Sequence, residues 1–255
     1  MSVISASDVS WIEPFTGVSP RTFSRLAAQL RRAGVDRPGP GRPWKLGLAD
    51  RVLLIAAYWR TNLTLRQLAP LFGVSKPAAG RMITDLAPRL ALTHRARRGS
   101  DTVLIVDGTL VPTRDRTVAA PSKNYRYSTN HQVVIEADTR LVVAVGTPLP
   151  GNRNDCKAWT ESGTADQVAG HTVIADGGYR GTGLLIPHRR QPGQDLPAWK
   201  EEHNASHRNV RARVEHTFAR LKTWKILRDC RLRAAGVRHA LTGIAHLYNL
   251  DTEPA

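Results

Sequence analysis

Three carboxylates stand out by type and setting. Asp107 closes the apolar run of "TVLIVDGT" and Asp176 closes that of "HTVIADGGY", and each precedes a glycine. The third, Glu215, is the single acid in "VRARVEHTFARLK", among Arg211, Arg213, Arg220 and Lys222. At the carboxyl edge of an α/β sheet a side chain leaves the core and the following loop can admit a ligand. At about 100° per residue, a helix puts Arg208, Arg211, Glu215 and Lys222 on one stripe roughly 60° wide. Val210, Val214 and Leu221 form the neighbouring apolar stripe, which would dock on a sheet and leave Glu215 at the edge of the buried face. Three converging carboxylates repel one another unless cations neutralise them. Oxygen-only ligands with open positions suit Mg²⁺ or Mn²⁺, and two such ions can clamp both oxygens of an in-line phosphoryl displacement. The flanking arginines and lysine would then hold phosphates. Each residue also has a plainer reading: Asp-Gly is ordinary turn chemistry, and a Glu among arginines is an ion-paired surface residue.

Asp155, in "PGNRNDCKAW", is either the N-cap of the helix that follows or a group standing behind the metal-linked acids. The segment "PSKNYRYSTNHQ", residues 121 to 132, mixes basic, aromatic and amide side chains and is either a solvated loop or part of a nucleic-acid channel. No zinc site is expected from the nine histidines, and Walker-type glycine loops are absent.

The elements that must position these groups can be read from periodicity. "TVLIVDGT" and "HTVIADGGY" read as buried strands, and "HQVVIEADTRLVVAVGTPLP" as a hairpin turning at Asp138-Thr139-Arg140. "GLLIPHR" reads as a short fifth strand, with helices around 155–169 and 205–228. Strand, hairpin, helix, strand, helix predicts an α/β fold, a mixed sheet covered by helices. Ahead of it, residues 48–91 carry helical periodicity broken at "TNLT" and "GVSK", with Thr64 and Ser75 placed as N-caps. The stretch "LRQLAPLFGVSKPAAGRMI" has the layout of a helix-turn-helix, with Lys76 and Arg81 on its second helix. An ordinary three-helix bundle is the alternative. The expected division is an N-terminal segment (1–45), a helix-turn-helix domain (46–98) and a catalytic domain (99–255).

The 255 residues carry 37 Lys and Arg against 21 Asp and Glu, a net charge of +16. Residues 1–100 hold 16 basic and 5 acidic side chains, and residues 101–200 hold 11 and 10. Such a balance suits a polyanionic partner, nucleic acid before membrane, since no apolar run approaches the roughly 20 residues of a membrane span. Two cysteines without metal-ligand spacing, and an N-terminus without signal-peptide pattern, fit a reducing cytoplasm.

Together, "VDGT" with Asp107, "PGNRNDCKAW" with Asp155, "ADGGYRG" with Asp176 and "RARVEHTFARLKTWKIL" with Glu215 resemble the DDE-type transposases of bacterial insertion sequences, in the IS-five-like branch. The wider group carries a Tyr–x2–Arg–x3–Glu–x6–Lys signature, which Arg211, Glu215 and Lys222 match while Arg208 fills the tyrosine slot. The resemblance covers roughly residues 45–245 and implies a ribonuclease-H-like catalytic domain behind the helix-turn-helix. Asp107 and Asp176 would sit on adjacent strands and Glu215 on a later helix, together holding Mg²⁺ or Mn²⁺, two ions in all. The implied activity is hydrolysis of DNA at the element ends and attack of the freed 3′-hydroxyl on target DNA. The implied partners are double-stranded DNA, at terminal inverted repeats and target, and a second copy of the chain on that DNA. The implied location is the cytoplasm, at the nucleoid. Lys76, Arg81, Arg208, Arg211 and Lys222 are the candidate DNA contacts. Two other readings remain open: a DNA-binding regulator with a decayed or domesticated nuclease domain, and a nuclease that cuts without joining.

Overall fold

Phe23, Leu26, Ala27 and Leu30 recur at i, i+3, i+4 and i+7 and are all buried, so the N-terminal segment folds as more than a lead-in. The computed structural model describes residues 3–36, 43–91, 99, 101–122 and 126–253. It divides into two compact units, residues 1–92 with 221–255, and residues 93–220. These boundaries differ from those expected, because the C-terminal stretch groups with the N-terminal helices.

In the first unit, α1 (Ile12–Thr16) and α2 (Pro20–Arg32) pack on α3 (Leu48–Thr61). Then come α4 (Leu65–Leu71) and α5 (Lys76–Leu86), the helix-turn-helix pair. Its caps are those read from the sequence. Thr64 and Gln67 form a capping box at α4, and the Ser75 hydroxyl accepts from the Ala78 N–H at α5, satisfying amides that would otherwise lack partners. Gly73 makes the turn between them at φ +63°, a backbone region that disfavours any side chain. The closing helix α9 (Gly236–Thr252) completes this unit by close approach: a Cβ on Gly243 would lie 2.4 Å from the Trp59 ring.

The second unit holds a six-stranded mixed sheet. Its strands are β1 (Val103–Pro112), β2 (Ala120–Pro121), β3 (Tyr127–Glu136), β4 (Val142–Val145), β5 (Leu149–Pro150) and β6 (Thr172–Ile174). β1 runs antiparallel to β3 along its length and parallel to β6 at its start, and β4 and β5 also pair with β3. The β3–β4 hairpin turns at Asp138-Thr139-Arg140 as expected, with Arg140 at φ +61°. The strand expected at "GLLIPHR" is only a single bridge, Ile174 to Leu185. Helices α6 (Asp155–Glu161) and α7 (Thr164–Gln167) follow β5. Trp159 and Val168 cover Leu104, Val106, Val134 and Val173 in one apolar cluster on one face of the sheet, and Ile105, Val111, Val133 and Ile135 are buried on the other.

Helix α8 (Ala198–Leu221) starts earlier and stops earlier than its periodicity suggested. Its buried stripe is partly polar: Asn204, His207, Val214, Thr217 and Leu221. The Asn204 amide accepts from the His188 N–H at 2.8 Å and donates to the His188 carbonyl at 2.9 Å. Arg213 donates to the Ala137 carbonyl at the hairpin turn, 2.7 Å away. These bonds moor α8 to the sheet unit at separate points. Lys222 lies just past the helix end and belongs to the other unit.

Candidate active site

Register brings the first two acids together. The parallel ladder of β1 and β6 ends at Ile105 opposite Ile174. Asp107 and Asp176 stand two residues beyond that pair on their two chains, where the ladder has opened. Contrary to the expectation from the sequence, Asp107 does not close a strand: β1 continues to Pro112, still paired with β3. Its Asp-Gly is therefore no turn, and the glycine has another use. A Cβ on Gly108 would sit 2.5 Å from Asp155 Oδ1 and 2.9 Å from Gln132 Nε2. Glycine within a strand marks such a close approach. At Asp176, by contrast, the side chain does cap a turn, accepting from the Gly178 N–H at 2.7 Å.

Asp155 is not the helix cap. Asn154 performs that task, its side chain accepting from the Lys157 N–H at 3.0 Å. The Asp155 carboxylate turns toward the strands, where Asn130 Nδ2 and Gln132 Nε2 each lie 3.4 Å from its Oδ1.

Charge at this edge is concentrated and partly desolvated. Burial pushes the Asp107 carboxyl up to about 6, offset by the Arg211 guanidinium and the Gly108 N–H and reinforced by the charges of Asp176 and Asp155. Burial, then the charges of Asp155, Asp107 and Asp176, drive the Tyr179 phenol well above its ordinary value. It remains a proton donor, to Gln132 Oε1. Arg211 links the third acid: its Nη1 lies 3.5 Å from Asp107 Oδ2 and its Nη2 3.1 Å from Glu215 Oε1. Asp107, Asp155 and Asp176 thus share one neighbourhood, while Glu215 is drawn to Arg211 with its side chain 59% exposed. Among the described residues, no three His, Cys, Asp or Glu side chains are gathered closely enough to hold a metal ion together.

Of the candidate DNA contacts, Lys76 opens α5, and Lys76, Arg81 and Arg208 are exposed. The segment read as a loop or channel wall is buried strand over most of its second half, while Pro121, Arg126 and Tyr127 are exposed. Ser128 to Gln132 form the first half of β3 and are buried, while residues 123–125 lie outside the described residues. The sequence reading passed over Asn130, Gln132 and Tyr179, although five successive polar residues leading into "VVIE" were a usable signal. It also passed over the His203/His207 pair, four apart on α8. Those rings continue a chain from Trp199 through His188, with centroids 5.2, 4.9 and 6.3 Å apart, and His207 Nε2 is engaged by the Leu185 carbonyl.

Residues 98–250 match the transposase DDE domain, and residues 44–93 match the helix-turn-helix of DDE superfamily endonucleases. A protein of Streptomyces albus G, named provisionally as a transposase for insertion sequence element IS112, is 70% identical over 97% of both chains. One from Microchaete diplosiphon, named with similar reserve as a transposase for insertion sequence element IS702, is 25% identical over 92% of both. The DDE domain implies a ribonuclease-H-like fold, which the mixed sheet and its helices fit, and a helix-turn-helix ahead of it implies DNA binding. The family's general activity is metal-dependent DNA cleavage and strand transfer. This edge supplies the hard oxygen donors that divalent ions of that kind take, and the mutual repulsion of Asp107, Asp155 and Asp176 is what a cation would relieve. On these grounds the chain belongs to the DDE transposase family.

Proposed function

We propose that the chain transposes a bacterial insertion sequence, cutting DNA at the element's terminal inverted repeats and joining the freed 3′-hydroxyl to target DNA. What supports this reading is that Asp107 and Asp176 each stand two residues past Ile105 and Ile174, the last pair of the parallel β1–β6 ladder, with Arg211 reaching from Asp107 to Glu215. Asp107, Asp176 and Glu215 are the catalytic acids in this reading, and they would hold two Mg²⁺ or Mn²⁺ ions. Ions bound there would supply Lewis acidity to the attacking and leaving oxygens of an in-line phosphoryl transfer.

The chain's own residues do the rest. Asp107 is fixed by the sheet, and the Gly108 N–H donates to it at 2.8 Å. Arg211 holds Glu215 and Asp107 through a shared guanidinium, and on releasing them it would present its donors to a phosphate. Arg208, exposed one turn earlier, would extend that contact along the DNA, and Lys222, in the other unit, would be a separate DNA contact. Lys76 and Arg81 would contact DNA from the helix-turn-helix, so that one region grips and the other cuts. A second copy of the chain would bring the two element ends together, in the cytoplasm at the nucleoid.

The test is a set of near-isosteric changes, Asp107→Asn, Asp176→Asn and Glu215→Gln. Each should yield a folded, DNA-binding protein without Mg²⁺-dependent nicking of supercoiled DNA and without joining of pre-cut ends. Substantial cleavage by any one variant removes that residue from the site. A wild-type chain that binds DNA but never nicks it is a regulator instead. One that nicks but never joins is a nuclease only.

A further inference from the structure

Gly108, Gln132 and Asn130 share one face of the sheet. Gly108 pairs with Gln132 and Leu110 with Asn130 across β1 and β3, and alternation puts these glycine and amide positions in line with Val106 and Val134. That is the face covered by α6 and Tyr179. Its lower part is apolar and its upper part is a directed chain of amides. Tyr179 donates to Gln132 Oε1, and Gln132 Nε2 donates to Asn130 Oδ1 at 3.1 Å. Asn130 Nδ2 donates to the Arg153 carbonyl, also at 3.1 Å. With both amide oxygens occupied, only N–H groups face Asp155 Oδ1. That pocket of donors fixes where the carboxylate oxygen lies. The room for that carboxylate exists because residue 108 has no Cβ. None of these residues belongs to the three-acid pattern, and α6 is capped without Asp155.

We propose that Asn130 and Gln132 are positioning residues of the transposition reaction, holding the Asp155 carboxylate over Gly108 as a fixed fourth acid beside Asp107 and Asp176. This rests on the acid-edge reading above. Fully buried Gln132, locked by Tyr179, sets the position; Asp155 would supply its charge to ions bound at this edge.

Mn²⁺ binding to the full chain without DNA, followed by electron paramagnetic resonance, tests it alongside urea unfolding in chelator. Asp155→Ala, Gln132→Met and Gly108→Ala should each weaken Mn²⁺ binding about 10- to 100-fold, the usual effect of losing an orienting partner. Asp155→Ala should keep or raise the metal-free stability. Gly108→Ala removes no carboxylate, so its effect should vanish in an Asp155→Ala background, a coupling that a merely structural loss would not show. Wild-type Mn²⁺ binding by Asp155→Ala, or simple addition of the Gly108→Ala and Asp155→Ala losses, overturns the proposal. Asp107→Asn is the reference. If it too binds Mn²⁺ at full strength, or the wild-type chain binds none, the acid-edge reading itself falls. If Asp107→Asn loses binding while the others keep it, only the fourth acid falls.

Discussion

Asp107 carries a proton affinity that its surroundings have changed. Its carboxyl is lifted from an ordinary 3.8 to about 6, so the folded chain holds the proton more tightly than the unfolded chain does. Below about pH 4 both states are protonated and the group leaves stability unaffected. Between about pH 4 and 6 the unfolded state releases its proton first, and stability falls across that window, by up to about 3 kcal/mol before solvent screening. Urea unfolding in chelator should show that decline in the wild type and a flatter profile in Asp107→Asn. Equal slopes in the two proteins would mean that the carboxyl is not held as described. Divalent-ion affinity should weaken below about pH 6 for the same reason, because proton and cation compete for one group.

Helix α8 buries only two apolar side chains among its described residues, Val214 and Leu221, and it carries Arg211 and Glu215. Asn204→Leu would leave the His188 N–H and carbonyl without their partners, at a cost of about 1–3 kcal/mol. Faster amide exchange along α8 and slower DNA cleavage should accompany the loss. Unchanged exchange in that variant would show that other contacts moor the helix. This element also marks where sequence reading runs out. The helix-turn-helix was legible because Thr64, Gly73 and Ser75 act locally, each fixing its own few residues. Strand β1 and the β3–β4 hairpin were legible from their β-branched apolar runs and turn chemistry. The end of α8 at Leu221 was not, since the periodicity continues past the point where the chain leaves the sheet unit. The true role of Gly108 was hidden as well, because "DG" looks the same in a turn and under an approaching carboxylate. Helix α2 was readable from its four apolar positions but was passed over.

At the scale of the whole molecule, the helical unit is discontinuous in sequence: residues 1–92 need 221–255, whose Gly243 seats the Trp59 ring. A fragment of residues 1–98 would leave that ring and its neighbours on α3 in water, and it should be poorly folded and bind DNA weakly. Residues 1–92 joined through a short flexible linker to 221–255 should fold and bind duplex DNA, with affinity falling steeply as salt rises. A stable, tightly binding 1–98 fragment, or salt-insensitive binding by the joined form, would contradict this.

The same discontinuity has a consequence for gene expression. A ribosome making this chain releases the helix-turn-helix before α9, the helix that completes its unit, and the whole sheet unit is threaded out in between. Products cut short by a premature stop or a frameshift therefore lack a finished grip on DNA. They should bind DNA too weakly to compete with the intact protein, so copies of the gene broken ahead of α9 should be silent bystanders rather than dominant inhibitors.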